Sequence, residues 1–229
     1  MANIILTIDD MPQNNTVAII DYLESKGIKP LFFGIGEFLE KLPEPAIYAL
    51  KKGLIIGNHT YSHVNLAEVS FEEGIEEIEK CERILDDIYK RAGVTREHKL
   101  FRFPYLNGGE NGERYDSYLR EHGFERIDDR SVTDAQYKEN GWDREIGVYC
   151  SFDCREYLLR EGSPMTIGQI YDDIDSVFLP LAGDDTVDHI VLTHSHDLTD
   201  ENEPLYYEKI VERFLQDKAV FKAPSFRKP

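Results

Sequence analysis

No apolar run in this sequence approaches the roughly 20 residues that a membrane-spanning helix requires, so no membrane insertion is expected. Positive charge is also scarce: 26 Lys and Arg stand against 44 Asp and Glu, for a formal net charge of −18. Binding a nucleic acid or an anionic membrane surface requires a basic face. This chain would have to build one against its own average, and neither partner is expected. Cysteine is sparse and odd in number (Cys81, Cys150 and Cys154), with no C-x-x-C spacing. That disfavours both a disulfide framework and a cysteine-based zinc site. No basic n-region or small-residue cleavage site precedes Ile4-Ile5-Leu6. The expectation is a cytoplasmic protein, although a domain trimmed from a secreted precursor would read the same way. Internal repeats, linkers and low-complexity tracts are missing too, so residues 1–229 read as one domain.

What is present is core-forming material. Of 229 residues, 41% are hydrophobic and 11% aromatic, which excludes a disordered chain. Short β-branched or aromatic runs at Ile4–Ile8, Leu31–Phe33, Leu54–Gly57, Leu100–Phe103, Ile146–Phe152, His189–Thr193 and Val220–Phe221 predict strands. Helical periodicity predicts helices over Thr16–Lys26, Pro45–Lys52, Ser70–Arg91, Arg114–Glu121, Thr166–Phe178 and Pro204–Leu215. The Ser70-Phe71-Glu72-Glu73 start carries a capping-box pattern. Alternation at roughly 25–35 residues argues for βαβ units and a parallel sheet. Near seven strands fit either an open doubly wound sheet or a closed, irregular barrel.

The ionisable residues fall in a pattern. Asp9-Asp10, His59 with His63, Arg102 and His194 each lie at or just beyond the C-terminal end of a predicted strand, and in a parallel barrel those ends open on one face. His59 and His63, four apart, can share one face of a helical turn and present two imidazoles to one metal ion. Adjacent carboxylates take different roles only where a strand is ending: one of Asp9 and Asp10 can ligate while the other stands beside a bound water. The resulting two-His, one-Asp set leaves positions open for water and substrate. Zinc suits it, and cobalt, nickel or manganese are compatible. Arg102, between Phe101 and Phe103, needs a carboxylate partner. A histidine in the place of His194 can act as a general acid.

Four stretches in order, Thr7-Ile8-Asp9-Asp10, His59-Thr60-Tyr61-Ser62-His63, Arg102-Phe103-Pro104-Tyr105 and Leu192-Thr193-His194, resemble the motifs of the polysaccharide deacetylase family. These are metal-dependent carbohydrate esterases with the nodulation-deacetylase homology domain. The resemblance implies an α/β fold, a distorted (β/α)7 barrel of TIM-like form, and hydrolysis of N- or O-acetyl groups on a carbohydrate. It also implies roles: Asp9 as base; Asp10, His59 and His63 as ligands of a divalent metal; Arg102 holding the base; the Tyr105 N–H facing the oxyanion; Leu192 and Pro104 in the substrate pocket; and His194 as acid. Ile8 replaces the usual Phe, and Met11-Pro12 replaces Gly-Pro, which would place a larger side chain near the cleft. The family's Asp-x-x-Asp-Trp motif is degenerate, with remnants at Asp134-Ala135-Gln136-Tyr137 and Asp153-Cys154-Arg155-Glu156-Tyr157. Asp134 or Asp153 is therefore the expected support for His194. Two rival readings are an amidase or deformylase of small substrates on the same site, and a non-catalytic carbohydrate-binding barrel. The second is disfavoured because Asp9, Asp10, His59, His63 and His194 are all present.

Overall fold

A computed structural model gives the structure and describes residues 2–159, 163–179, 186–195 and 206–228. Its elements are β1 (Asn3–Met11), α1 (Thr16–Ser25), β2 (Leu31–Gly34), α2 (Gly36–Lys41), α3 (Pro43–Lys51), β3 (Ile55–Asn58), α4 (Phe71–Ala92), α5 (Gly112–Glu121), β4 (Arg126–Ile127), α6 (Ala135–Glu139), β5 (Phe152–Asp153), α7 (Ile167–Asp173), β6 (Asp188–His194), α8 (Tyr206–Gln216), β7 (Val220–Phe221) and β8 (Phe226–Arg227). Every residue of β1 is buried, as befits a central strand covered on both faces. The sheet runs β3-β2-β1-β6-β5, all neighbours parallel, with β7 added beside the start of β1.

Main-chain hydrogen bonds continue this sheet into a ring. Asn58 N donates to Leu100 O at 2.8 Å and Arg102 N to Asn58 O at 3.0 Å, which brings residues 100–102 beside β3. From there Val148 N reaches Phe101 O at 2.8 Å, and Glu125 N reaches Lys99 O at 2.8 Å at the other end. Ser151 N donates to Ile190 O at 2.9 Å, which returns the ring to β6. This is the expected distorted (β/α)7 barrel. The distortion lies in the staves at 100–103 and 146–152, predicted as full strands. The first is reduced to one bridge, Asn58 with Phe101, and the second to β5. Pro104 explains the first: the chain turns there into a 3-10 segment, Pro104–Leu106, with Pro in its first turn.

The period of two sorts side chains between the barrel interior and the surrounding helices. Ile4, Leu6, Ile8, Phe32, Ile56 and Val191 pack in the helix-side core. Ile5, Leu31, Phe33, Phe101, Phe103, Ile190 and Leu192 fill the inner one. Met11 also belongs to the helix-side core and is fully buried, so the side chain expected near the cleft faces away from it. On β1 the same alternation turns Thr7 and Asp9 inward, and the register pairs Thr7 with Leu192 and Asp9 with His194.

The helices agree with the periodicity where it is long. α4 starts on the capping box of Ser70 and Glu73 and ends on Gly93 at φ 71°. α7 starts on a second capping box, Thr166 with Gln169, and continues as a π-helical stretch, Ile174–Phe178. α2, six residues long, is too short for its period to show. Strand β4 pairs antiparallel with β8, a contact no local pattern announces. Pro204, the expected start of the closing helix, lies outside the described residues. Among the described residues no helix is long and apolar enough to cross a membrane.

Gly57 sits where β3 passes Phe33. A Cβ there would lie 2.6 Å from Phe33 Cε1 and 3.1 Å from Leu100 O. Gly57→Ala therefore loses about 1–3 kcal/mol by overpacking, read as a lowered urea midpoint at unchanged m-value.

Candidate metal and acid–base site

The end of β1 is where the site begins. Neighbouring strand residues point to opposite sides, yet Asp9 and Asp10 both line one cavity. The cause is local: the register of β1 against β2 shifts between Ile8 and Met11, and Asp10 takes a left-handed backbone at φ 63°. Aspartate tolerates that conformation better than most residues, through its short polar side chain. The result places two carboxylates side by side.

Arg102 is fully buried. Its Nη1 donates to Asp9 Oδ1 at 2.7 Å and to Thr7 Oγ1 at 2.9 Å, and its Nε donates to Val148 O at 2.8 Å. The guanidinium lies 4.5 Å from the centre of the Phe33 ring. The planar fork thus ties β1 to the stave at 148 and gives the buried charge of Asp9 its expected partner.

His59 and His63 meet, but not on the expected helical turn. Residues 59–63 form an irregular loop in which Thr60 and His63 have φ 63° and 58°. Asn58 shapes it: Oδ1 accepts from Thr60 N at 2.8 Å, while Nδ2 donates to Ile78 O at 2.9 Å and Glu82 Oε1 at 3.0 Å on α4. Glu77 accepts from Ser62 N at 2.7 Å. His59 Nδ1 donates to Arg102 O at 2.9 Å, which fixes the tautomer and leaves Nε2 as the lone-pair nitrogen facing inward. That Nε2 lies 3.6 Å from Asp10 Oδ1, and His63 Nε2 lies 3.4 Å from the same oxygen. The candidate ligand atoms of Asp10, His59 and His63 all lie within 4.8 Å of one another. Burial, reinforced by His59, pushes the His63 pKa down to about 4, so its imidazole is neutral and able to ligate. The donor set suits a divalent metal. Asp9 differs: one oxygen is occupied by Arg102, and the other stands 3.5 Å from His59 Nε2.

His194 closes the opposite side, and here the expected support is corrected. Asp134 caps α6, accepting from Tyr137 N at 2.8 Å, and Asp153 lines the cavity while accepting from Arg155 N at 2.8 Å. The residue that holds His194 is Glu156. Its Oε1 lies 3.1 Å from His194 Nδ1 and also accepts from the His194 backbone N–H. Arg155, left-handed at φ 54°, starts the 3-10 turn Glu156–Leu158 that places this glutamate. The signal was present in the sequence as a glutamate at the second acidic position of Asp153-Cys154-Arg155-Glu156. Burial opposes charge on His194, but Glu156, with Asp9 and Asp10, overcomes it and raises the pKa to about 10. Burial, together with Glu156, raises Asp153 to about 6. The Tyr157 ring meets the His194 ring edge-on at 4.8 Å.

Asp9, Asp10, His59, His63, Asp153, Tyr157 and His194 share one cavity of about 650 Å³. Leu192 lines it, and so do Phe103, Tyr105 and Leu106; Pro104 is buried and is not among the lining residues. Tyr105 is 65% exposed, with its ring 4.9 Å from that of His63. Gln13, Ile35 and Phe38 complete the wall. They escaped notice in the sequence because they follow strand ends without any motif.

The profile of a family described as polysaccharide deacetylase matches residues 2–127. Over 105 residues the chain is 41% identical to the peptidoglycan-N-acetylglucosamine deacetylase of Bacillus cereus, a stretch covering 45% of this chain and 36% of that one. Over 166 residues it is 30% identical to chitin deacetylase 1 of Cryptococcus neoformans var. grubii, covering 69% of this chain and 34% of that one. The chain thus spans about a third of the length of these relatives. Among solved structures, a peptidoglycan N-acetylglucosamine deacetylase in complex with a substituted N-oxidanyl-benzamide superposes with a TM-score of 0.63 at 26% identity, over 96% of this chain and 85% of that one. A polysaccharide deacetylase from Bacillus cereus shares the fold, with a TM-score of 0.67 at 19% identity over 97% and 92% of the two chains.

Proposed function

The chain belongs to the polysaccharide deacetylase family, and from that membership we propose that it is a metal-dependent hydrolase removing acetyl groups from a carbohydrate, with an N-acetylated amino sugar as the first candidate substrate. The observation that carries this reading is the convergence of three groups on one cavity: Asp9 with Arg102, Asp10 with the two histidines, and His194 with Glu156. The names of the similar proteins, which specify peptidoglycan-N-acetylglucosamine and chitin, support the choice of substrate.

Asp10, His59 and His63 would hold the metal, with zinc suited to two imidazoles and a carboxylate, and the bound ion would acidify a water and polarise the acyl carbonyl. Arg102 fixes one oxygen of Asp9, leaving the other to take the proton of the attacking water. The Tyr105 N–H supplies a donor for the developing oxyanion. Leu192 offers an apolar wall to the acetyl methyl. His194, protonated through Glu156, donates its proton to the departing amine or hydroxyl.

The test is acetate release from N-acetylated chito-oligosaccharides, acetylated xylan and small amides, compared side by side. Treatment with a chelator lowers the rate on the order of 100-fold or more, and added zinc restores it. Release from small amides alone would move the substrate class; release from none would overturn the reading.

Glu156 gives a separate expectation. In Glu156→Gln the carboxylate that raises the His194 pKa is gone while burial, which lowers it, remains. The acid is then lost at lower pH, and the alkaline limb of the kcat profile moves downward from near pH 10. An unmoved limb removes His194 from the acid role.

A further inference from the structure

We propose that Asp153, Glu156 and His194 form a second divalent-cation site, separate from Asp10, His59 and His63, and that filling it silences the acid. Each of the three offers a ligand atom, all within 4.8 Å of one another. The independent observation is Glu156 itself. It is fully buried, and while Oε1 serves His194, the buried Oε2 has no hydrogen-bond partner among the described residues. A carboxylate oxygen left unsatisfied in the interior is costly, and a cation is the group that satisfies it best. Among the described residues no lysine or arginine pairs with Asp153 or Glu156; neighbouring Arg155 is turned to Asp173. Two carboxylates and an imidazole make a donor set for zinc or manganese. Asp153 and His194 both line the cavity, so a cation can enter from it.

The exchange balances simply. The ion takes a lone pair on the His194 ring, the proton shared by that ring and Glu156 leaves for solvent, and no electrons are transferred. A histidine in that state keeps only the very weakly acidic N–H of a neutral imidazole and no longer serves as the acid. The inference rests on the proposed function only in taking the first equivalent of metal to occupy Asp10, His59 and His63.

Zinc titration of the metal-free protein by calorimetry, in two buffers of different protonation enthalpy, tests it. The expected result is two equivalents per chain. The second is weaker, releases a proton on binding, and coincides with falling acetate release. Asp153→Asn and Glu156→Gln should each weaken the second equivalent by about tenfold or more while keeping the first. His59→Ala should lose the first and keep the second. A single equivalent in the wild type, a second equivalent that both acidic variants retain, or loss of both in His59→Ala overturns the proposal. Two equivalents with this pattern but no acetate release from any substrate would uphold the second site and fail only the assigned activity.

Discussion

Asp9→Asn is expected to lower kcat by about 10²–10⁴, the usual contribution of a general base, while a full equivalent of metal stays bound. The amide is nearly isosteric, and its oxygen can still accept from Arg102 Nη1, now at 2.7 Å from Asp9 Oδ1. What it loses is basicity at the oxygen facing the cavity. Asp10 Oδ1, within 3.4–3.6 Å of both histidine nitrogens, carries the ligand role and is untouched. Steady-state kinetics and elemental analysis on one preparation decide the matter. Turnover near that of the wild type removes Asp9 from the base role, and loss of metal moves it into the coordination shell.

The second large effect is on stability. Arg102→Leu leaves the Asp9 carboxylate buried without its cation and strips donors from Val148 O and Thr7 Oγ1. Breaking a buried pair from one side costs about 3–5 kcal/mol, a large share of a typical domain's stability. Arg102→Lys restores little, because a single ammonium on a flexible stem cannot serve Val148 and Asp9 at once. The Arg102→Leu, Asp9→Asn double variant recovers part of the loss, since no unpaired charge remains. Urea denaturation of the wild type, Arg102→Leu, Asp9→Asn and the double variant gives the cycle. A cost below about 1 kcal/mol for Arg102→Leu, the scale of a surface pair, would contradict the buried geometry.

Much of this site was legible because barrel strands have a period of two. Thr7, Asp9, Leu192 and His194 occupy inward positions on two strands in register, and any sequence that sets ionisable groups at such strand ends brings them together. Arg102 could be read from its apolar neighbours. The geometry of the histidine pair was misjudged because a spacing of four is shared by a helical turn and by a loop held by Asn58. Glu156 is not legible for a different reason: the family motif has an aspartate as the partner of the histidine, and the extra methylene of glutamate reaches His194 from a turn no periodicity describes. The irregular staves at 100–103 and 146–152 depend on partners far along the chain, and so do β4 and β8.

The left-handed residues carry one more consequence. Outside glycine, seven described residues have positive φ: Asp10, Thr60, His63, Tyr105, Leu106, Arg155 and Lys218. Asp10, His63, Tyr105 and Leu106 line the cavity, Thr60 follows His59, which does, and Arg155 lies two residues from Asp153 and Tyr157, which do. Each such conformation costs about 1–2 kcal/mol, so the group around the cavity offsets an amount comparable to the net stability of an ordinary domain. Attempts to make the protein more heat-resistant by relaxing its backbone would find most of their gains at this rim, because among the described residues Lys218 is the one left-handed non-glycine residue away from it. Durability and the shape of this cavity are thus set in opposition, and heat tolerance is better sought in the helices on the barrel's outer surface.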